Sequence, residues 1–511
     1  MSSWSSGYVS EITYTHGYYR ELTPSLLRFA ALVNGVRFPT GRLAYCELGC
    51  GQGVSTNLLA ASNPDIDFYA TDFNPAQING AKALAAAAKT PNVAFYDTAF
   101  EDFADDPSLP AKFDVIALHG IYSWISADSR RAIIDFIARK LNVGGIVYLS
   151  YNTYPGWAAA EPMRQLLYDH VQTSQGPILE RLESALKFAE DVASKSVFFT
   201  ANPIIKARLE DLKAKSRNYL AHEYLNDSFF PFYFRQVASD LAEAKLSFIG
   251  SAHVLDHIAS INLTADQQNL LAAEKDPIRR EGVRDYAVNQ QFRKDLFGKG
   301  MLPHTANSRQ QAWLETRFAL SARIEDVSMT INGSLGEAKL QEAVYQPILE
   351  AFRAGPATLH EVIAGHKVVA ELGWQRVQEA VTVLVGADVL HPCLPAKGET
   401  VRIKATNAFN AAVMEMSKDA GDITYLASPV TGGALSVSRF RQFFALAQQQ
   451  GGKTPEDWAK AAWQILAAQG QQLVKEGKTL TTEQENIAEL TVQAEEFQDK
   501  QLPILKTLRV I

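Results

Sequence analysis

Glu47-Leu48-Gly49-Cys50-Gly51-Gln52-Gly53 follows Leu43-Ala44-Tyr45-Cys46 and runs into Val54-Ser55-Thr56-Asn57-Leu58-Leu59-Ala60. The first flank reads as a buried strand and the second as the start of a helix. A strand, a glycine turn and a helix in that order make a ligand crevice at the carboxyl edge of a parallel sheet. Glycine is needed there because the backbone must turn tightly and let a ligand approach with no Cβ in the way. The spacing is G-x-G-x-G, with Val54 where the dinucleotide fingerprint has its third glycine.

The pattern continues downstream. Asp67-Phe68-Tyr69-Ala70-Thr71-Asp72 predicts a second strand that ends in an acid. Asp72 lies about 20–25 residues past the glycines, near the spacing at which a carboxylate reaches ribose hydroxyls. Asn74-Pro75 predicts a helix start, with Asn74 as cap and Pro75 in the first position, running to about Lys89. Val93–Tyr96, Phe113–Leu118 and Ile146–Ser150 predict three further strands, with a helix over Ala132–Ile137 that Gly144-Gly145 breaks. Strands alternating with helices imply an α/β, doubly wound, Rossmann-like sheet covered on both faces.

At 511 residues the chain exceeds one ordinary domain. An apolar share of 47% and a charged share of 21% fit a globular protein. A net charge of -7 gives no basic footprint for nucleic acid. The cysteines, Cys46, Cys50 and Cys393, lack zinc spacing, and a 46–50 disulfide would distort the glycine turn; a reducing, cytoplasmic location is expected. No signal pattern and no apolar run of membrane-spanning length is seen, so membrane insertion is not expected. Oligomeric state is not legible.

The expected organisation has six parts. Residues 1–40 are an aromatic arm with Trp4, Tyr14, Tyr18 and Tyr19, which either packs on the sheet edge or serves as a lid. The catalytic core spans 41–155, a helical cap is inserted over 156–235, and 236–300 returns to the sheet, with a strand at Leu246–Gly250. A connection and a winged-helix-like module occupy 301–395. A strand is expected at Ala312–Leu320, a helix at Trp374–Val385 and a wing from Val389; Arg376 is the lone basic residue of that helix, which argues against DNA reading. A helical carboxyl-terminal domain covers 396–511, with helices expected at Pro455–Glu476 and Thr482–Gln498.

Two aromatic segments follow the fourth and fifth strands: His119-Gly120-Ile121-Tyr122-Ser123-Trp124 and Asn152-Thr153-Tyr154-Pro155-Gly156-Trp157. Both fall at the edge that faces the crevice. His119, Tyr122, Trp124, Asn152 and Tyr154 are therefore candidates to orient an acceptor, with wedge or capping roles as the alternative. His253 and His257 sit in a stretch that reads as a strand, where they would lie roughly 13 Å apart; no metal site is expected.

The acid-led glycine run resembles the S-adenosylmethionine site of class I methyltransferases. With the tyrosine-rich arm, the two aromatic segments, and Arg284-Asp285-Tyr286, Asn289 and Phe292-Arg293, the chain resembles bacterial methyltransferases that carry a methyltransferase regulatory domain. That family includes protein-lysine methyltransferases acting on bacterial surface proteins. The resemblance implies S-adenosylmethionine as cofactor. It places Gly49, Gly51 and Gly53 at the methionine and ribose end, Glu47 as the loop's anchor, Asp72 on the ribose, and His119 beside the cofactor. Many class I enzymes hold the adenine with an acid after the third strand. Ala99 stands there in this chain, which shifts that contact to the backbone near Phe100 or to Glu101. A protein side chain, a lysine amine, is the acceptor this resemblance implies. A small molecule or glycan, or a cofactor-binding regulator without turnover, are the alternatives.

Overall fold

The computed structural model describes residues 16–511. Trp4 and Tyr14 of the arm lie outside the described residues. A seven-stranded sheet organises the chain: β1 (Leu43–Leu48), β2 (Ile66–Thr71), β3 (Val93–Tyr96), β4 (Phe113–Leu118), β5 (Leu141–Asn152), β6 (Ser247–Ser251) and β7 (Phe292–Gly298), in the order 3-2-1-4-5-7-6. Strands β1 to β5 are parallel, and β7 runs antiparallel between β5 and β6. The order reverses between β1 and β4, which opens a crevice beyond their carboxyl ends.

Helices α1 (Pro24–Val33), α2 (Val54–Ser62), α3 (Pro75–Ala88), α4 (Phe100–Phe103) and α5 (Ala127–Lys140) surround the core strands. Asn74 caps α3 by accepting the Ala76 N–H at 3.0 Å, with Pro75 in the first turn. The cap consists of α6 (Glu161–Thr173), α7 (Ile178–Lys195), α8 (Val197–Ala201), α9 (Pro203–Lys213) and α10 (Arg217–Tyr224), built around its own core of Leu167, Leu182, Leu186 and Leu209. Helix α11 (Phe234–Glu243) then leads into β6.

The Arg284–Arg293 segment locks β7 to its surroundings. Arg293 donates to Asp285 (2.5 Å), Asp295 (2.8 Å) and Glu281 (3.0 Å), and its guanidinium lies 4.2 Å from the ring centre of Phe234. Tyr151 of β5 donates to Asp295 at 2.7 Å. A buried cation is tolerable when its hydrogen bonds are met in this way.

Three expectations are corrected. The strand expected from Ala312 begins at Arg317, because Thr305 caps a helix, Ala306–Glu315, by accepting the Ser308 N–H. The helix from Pro455 stops at Ala468, and Val474–Thr479 forms a small hairpin that turns at Gly477, φ 78°. His253 caps a 3₁₀ turn, Val254–His257, that ends in His257, rather than the two lying along one strand; Ser251 accepts the His253 N–H, His253 meets Asp256, and His257 meets the Ser251 carbonyl.

In the winged-helix-like region, a strand begins after Val389, where the start of a wing was expected. That strand, Leu390–Cys393, pairs with Arg317–Leu320, which in turn pairs with Ala357–Thr358. The helix Trp374–Gly386 is buried at Val377, Ala380 and every residue from Val381 to Val385, and Arg20 donates to the Val385 carbonyl at 2.8 Å. That helix faces the rest of the chain. The carboxyl-terminal region shares one continuous apolar core with α1, α2 and one face of the sheet. Ser62 and Asn63 donate to the carbonyls of Gly433 and Gly432.

Candidate active site

A cavity of about 870 Å³ opens at the carboxyl edge of β1 and β4. Its first wall comes from the glycine turn. Gly49, Gly51 and Gly53 have φ of 78°, 52° and 63°, a region that L side chains rarely adopt. Their roles differ. A Cβ on Gly53 would stand 2.5 Å from the Ala81 Cβ and 2.8 Å from the Phe95 ring, so this glycine lets α2 pack on α3 and β3. A Cβ on Gly51 would meet nothing nearer than the tip of Gln77 at 3.8 Å and would instead fill the cavity. The Gly51 position thus keeps open a cradle for a ligand.

Two acids brace this wall. Glu47 is buried and accepts the Thr56 hydroxyl at 2.5 Å; burial pushes its carboxyl up to about 7. Asp72 accepts the backbone N–H of Gly51 (2.9 Å) with one oxygen and that of Asn74 (3.0 Å) with the other. Burial raises its pKa as well, against the pull of those two bonds. Each Asp72 oxygen retains acceptor capacity, since a carboxylate offers about four lone-pair sites. Thr98, Ala99, Phe100 and Glu101 continue the wall after β3.

The arm and the carboxyl-terminal region also reach the cavity. Tyr19 stacks on His119 with ring centres 4.2 Å apart, and its N–H donates to Ser55 at 3.0 Å. Tyr18 hydrogen-bonds Thr23 at 2.6 Å and packs on Tyr425, which lines the cavity with Thr424. His119 is held between Tyr19 and Tyr148, with Nδ1 2.9 Å from the Tyr148 hydroxyl. Burial pulls its pKa down to about 4, so it is neutral at pH 7.

The opposite wall combines the two aromatic segments with the cap. Trp124, Asn152 and Trp157 line it; the Trp157 indole donates to Asn152 at 2.9 Å, and Phe229 packs on both tryptophans. Arg208, Tyr219, His222, Glu223 and Asn226 line it from α9, α10 and the turn beyond. These five were not singled out as site residues from sequence. The aromatic richness of the 218–234 stretch was the available signal, but nothing local marks Arg208 or Glu223 apart from other charged helix residues.

Two expected acceptor-orienting residues are not among the lining residues. Tyr122 is fully buried in the core beneath the loop, and its hydroxyl donates to Asp240 of α11 at 2.7 Å. The Tyr154 hydroxyl donates to Glu161 at 2.5 Å and its ring packs on Tyr233. In both cases the side chain points into the supporting structure, with its hydroxyl already bonded to a carboxylate. His119, Trp124 and Asn152 do line the cavity, as do Glu47, Gly49, Gly51, Gly53, Asp72 and Phe100. No cluster of metal-ligating residues occurs among the described residues. Nor is any helix there long and apolar enough to cross a membrane.

Comparison with known proteins agrees with this geometry. Residues 46–147 match the model of a methyltransferase domain, and residues 216–299 match that of a "predicted methyltransferase regulatory domain". An uncharacterized protein of Synechocystis is 44% identical over 511 residues, covering 99% of this chain and all of that one. An uncharacterized protein of Rickettsia prowazekii is 27% identical over 291 residues, 56% of this chain and 52% of its own length. Among solved structures, PKMT2 from Rickettsia typhi in complex with AdoHcy has the same fold: TM-score 0.68 at 19% identity, covering 94% of this chain and 98% of that one.

Proposed function

This chain belongs to the class I S-adenosylmethionine-dependent methyltransferases that carry a regulatory domain, and on that premise we propose that it methylates a protein side-chain amine, a lysine. When bound, S-adenosylmethionine supplies an electrophilic methyl group. The open cradle at Gly51 and the remaining acceptor capacity of Asp72 fit its ribose and methionine portions. Thr98 to Glu101 are the residues available to its adenine, with Ala99 contributing no acid.

One observation carries the acceptor reading: the cavity wall opposite the cradle is aromatic, formed by Trp124, Trp157 and Tyr219. A lysine must be neutral to attack, and with an ordinary pKa near 10.4 only about one amine in 2,500 is neutral at pH 7. Apolar walls disfavour the ammonium and raise that fraction. They also exclude water and hold the nitrogen in one direction of approach. Asn152, fixed by the Trp157 indole, offers a polar atom on the same wall. The PKMT2-like fold over nearly the whole chain supports a macromolecular acceptor.

A small-molecule or glycan acceptor is the second reading, favoured by the fact that residues of α9 and α10 line the cavity from the cap. Transfer of tritiated methyl groups into a cell lysate separates the two. Label is expected in the protein fraction, as methyl-lysine after acid hydrolysis. Label confined to glycan or small-molecule fractions would overturn the lysine reading.

A further inference from the structure

Four carboxylates line the cavity: Glu47, Asp72, Glu101 and Glu223. Three are committed. Glu47 accepts from Thr56, Asp72 from two backbone N–H groups, and Glu101 from the Ser129 hydroxyl at 2.8 Å. No hydrogen-bond donor among the described residues reaches Glu223, which α10 presents between Tyr219 and Asn226 on the cap wall. The two arginines whose charge acts on it place their hydrogen bonds elsewhere. Arg208 lies 4.2 Å from the ring centre of Trp157, and donates to the Tyr224 hydroxyl and to Gln291, each at 3.3 Å. Arg164 of α6 is turned to Asn226 and to the Phe229 ring.

Glu223 is half-buried, and a carboxylate partly shielded from water with no donor in the protein favours a ligand that supplies one. We propose that Glu223 completes the acceptor site: it pairs with the incoming ammonium and takes its proton before methyl transfer. This inference rests on the amine-acceptor reading above. One N–H bond of the ammonium breaks and an O–H bond forms on the Glu223 carboxylate, leaving the electron pair on nitrogen. That pair forms the new bond to the methyl carbon of S-adenosylmethionine, while sulfur keeps the pair of the bond that breaks. The product is a methylammonium, and the proton on Glu223 passes to solvent.

The surroundings suit a proton acceptor. Burial pushes the Glu223 carboxyl up to about 7, with Arg208 and Arg164 opposing the rise. The other titratable groups on its own helix are Arg217, which pairs with Glu183, and Tyr219, His222 and Tyr224; burial raises the pKa of both tyrosines, so neither is anionic at neutral pH. His119, with a pKa pulled down to about 4, holds a proton too weakly to replace it.

The test uses the full-length protein, tritiated S-adenosylmethionine and lysate protein as acceptor, with Glu223→Gln as the variant. At pH 7 the initial rate should fall at least tenfold, while cofactor affinity by calorimetry and the melting temperature hold. By pH 9–10 the variant should recover toward wild type, since the acceptor then supplies neutral amine itself; each pH unit below 10.4 multiplies that amine about tenfold. An unchanged rate at pH 7 overturns the proposal. So does an equal loss at every pH, which marks a structural role, or a parallel loss of cofactor affinity. If the amide variant fails to fold, Glu223→Ala with added acetate replaces it: recovery of rate supports the proposal and no recovery overturns it. Acetylating the lysate's lysines beforehand keeps the two claims apart. Label that survives acetylation defeats the amine reading, whereas the pH profile of the variant judges Glu223.

Discussion

The two walls of the cavity are built on different principles. The wall we assign to the cofactor is drawn from a short stretch, Glu47 to Glu101, and works largely through backbone: left-handed glycines, N–H groups bonded within the turn and to Thr71 and Asp72, and two acids that hold the loop. The opposite wall, which we assign to the acceptor, gathers Trp124, Asn152, Trp157, Arg208 and Glu223 from distant segments and presents side chains. A common ligand can be met by a fixed backbone form. A particular acceptor must be met by side chains that vary without disturbing the sheet.

Perturbing each wall should therefore give different signatures. The largest effect is expected at Gly53. Gly53→Ala puts a Cβ 2.5 Å from Ala81 in a left-handed conformation, and strain plus overpacking should cost about 2–5 kcal/mol. Thermal melting should show a drop of several degrees, with cofactor affinity lost alongside; an unaffected melting temperature would mean that α2 can shift away from α3. Next is Glu47, whose effect should depend on pH. Its folded pKa of about 7 exceeds the ordinary value of 4.5, so the folded state binds more protons between those limits, and stability falls as pH rises through that window. Glu47→Gln can still accept the Thr56 hydroxyl and removes the ionisation. Denaturant titrations should find the variant gaining up to about 3 kcal/mol on wild type between pH 4.5 and pH 8. A gap that does not change with pH would mean that Glu47 does not titrate there.

The smallest effects should come from the tyrosines behind the acceptor wall. Tyr122→Phe leaves Asp240 without its donor and should cost about 1–2 kcal/mol; Tyr154→Phe, with a less buried hydroxyl, should cost less than about 1 kcal/mol. Both should keep most of their turnover. A tenfold fall in turnover with stability intact would return the hydroxyl to the chemistry and blur the contrast between the walls.

The same contrast explains what could be read without a structure. The sheet was legible because each core strand is an apolar run closed by a turn, and the cofactor wall because its residues follow those strands directly. Asp72 could be placed from spacing alone. Glu223 could not, because α10 looks like other half-buried helices until the cap folds over the crevice. Tyr122 and Tyr154 lie behind the cavity wall for a related reason. Lying on a loop at the correct sheet edge fixes a residue's neighbourhood, not its rotamer, and here Asp240 and Glu161 draw the hydroxyls away.

The contacts of Ser62 and Asn63 with Gly433 and Gly432 bear on timing. All nine residues of α2, the helix that follows the glycine turn, are buried, and part of their cover is chain made some 370 residues later. At about 5–20 residues per second, a ribosome takes roughly 20–75 s to travel that far. During that interval the nascent methyltransferase has its glycine turn but not the lid of its own scaffold. The core that α2 shares with the carboxyl-terminal region is thus completed only once the last third of the chain has emerged.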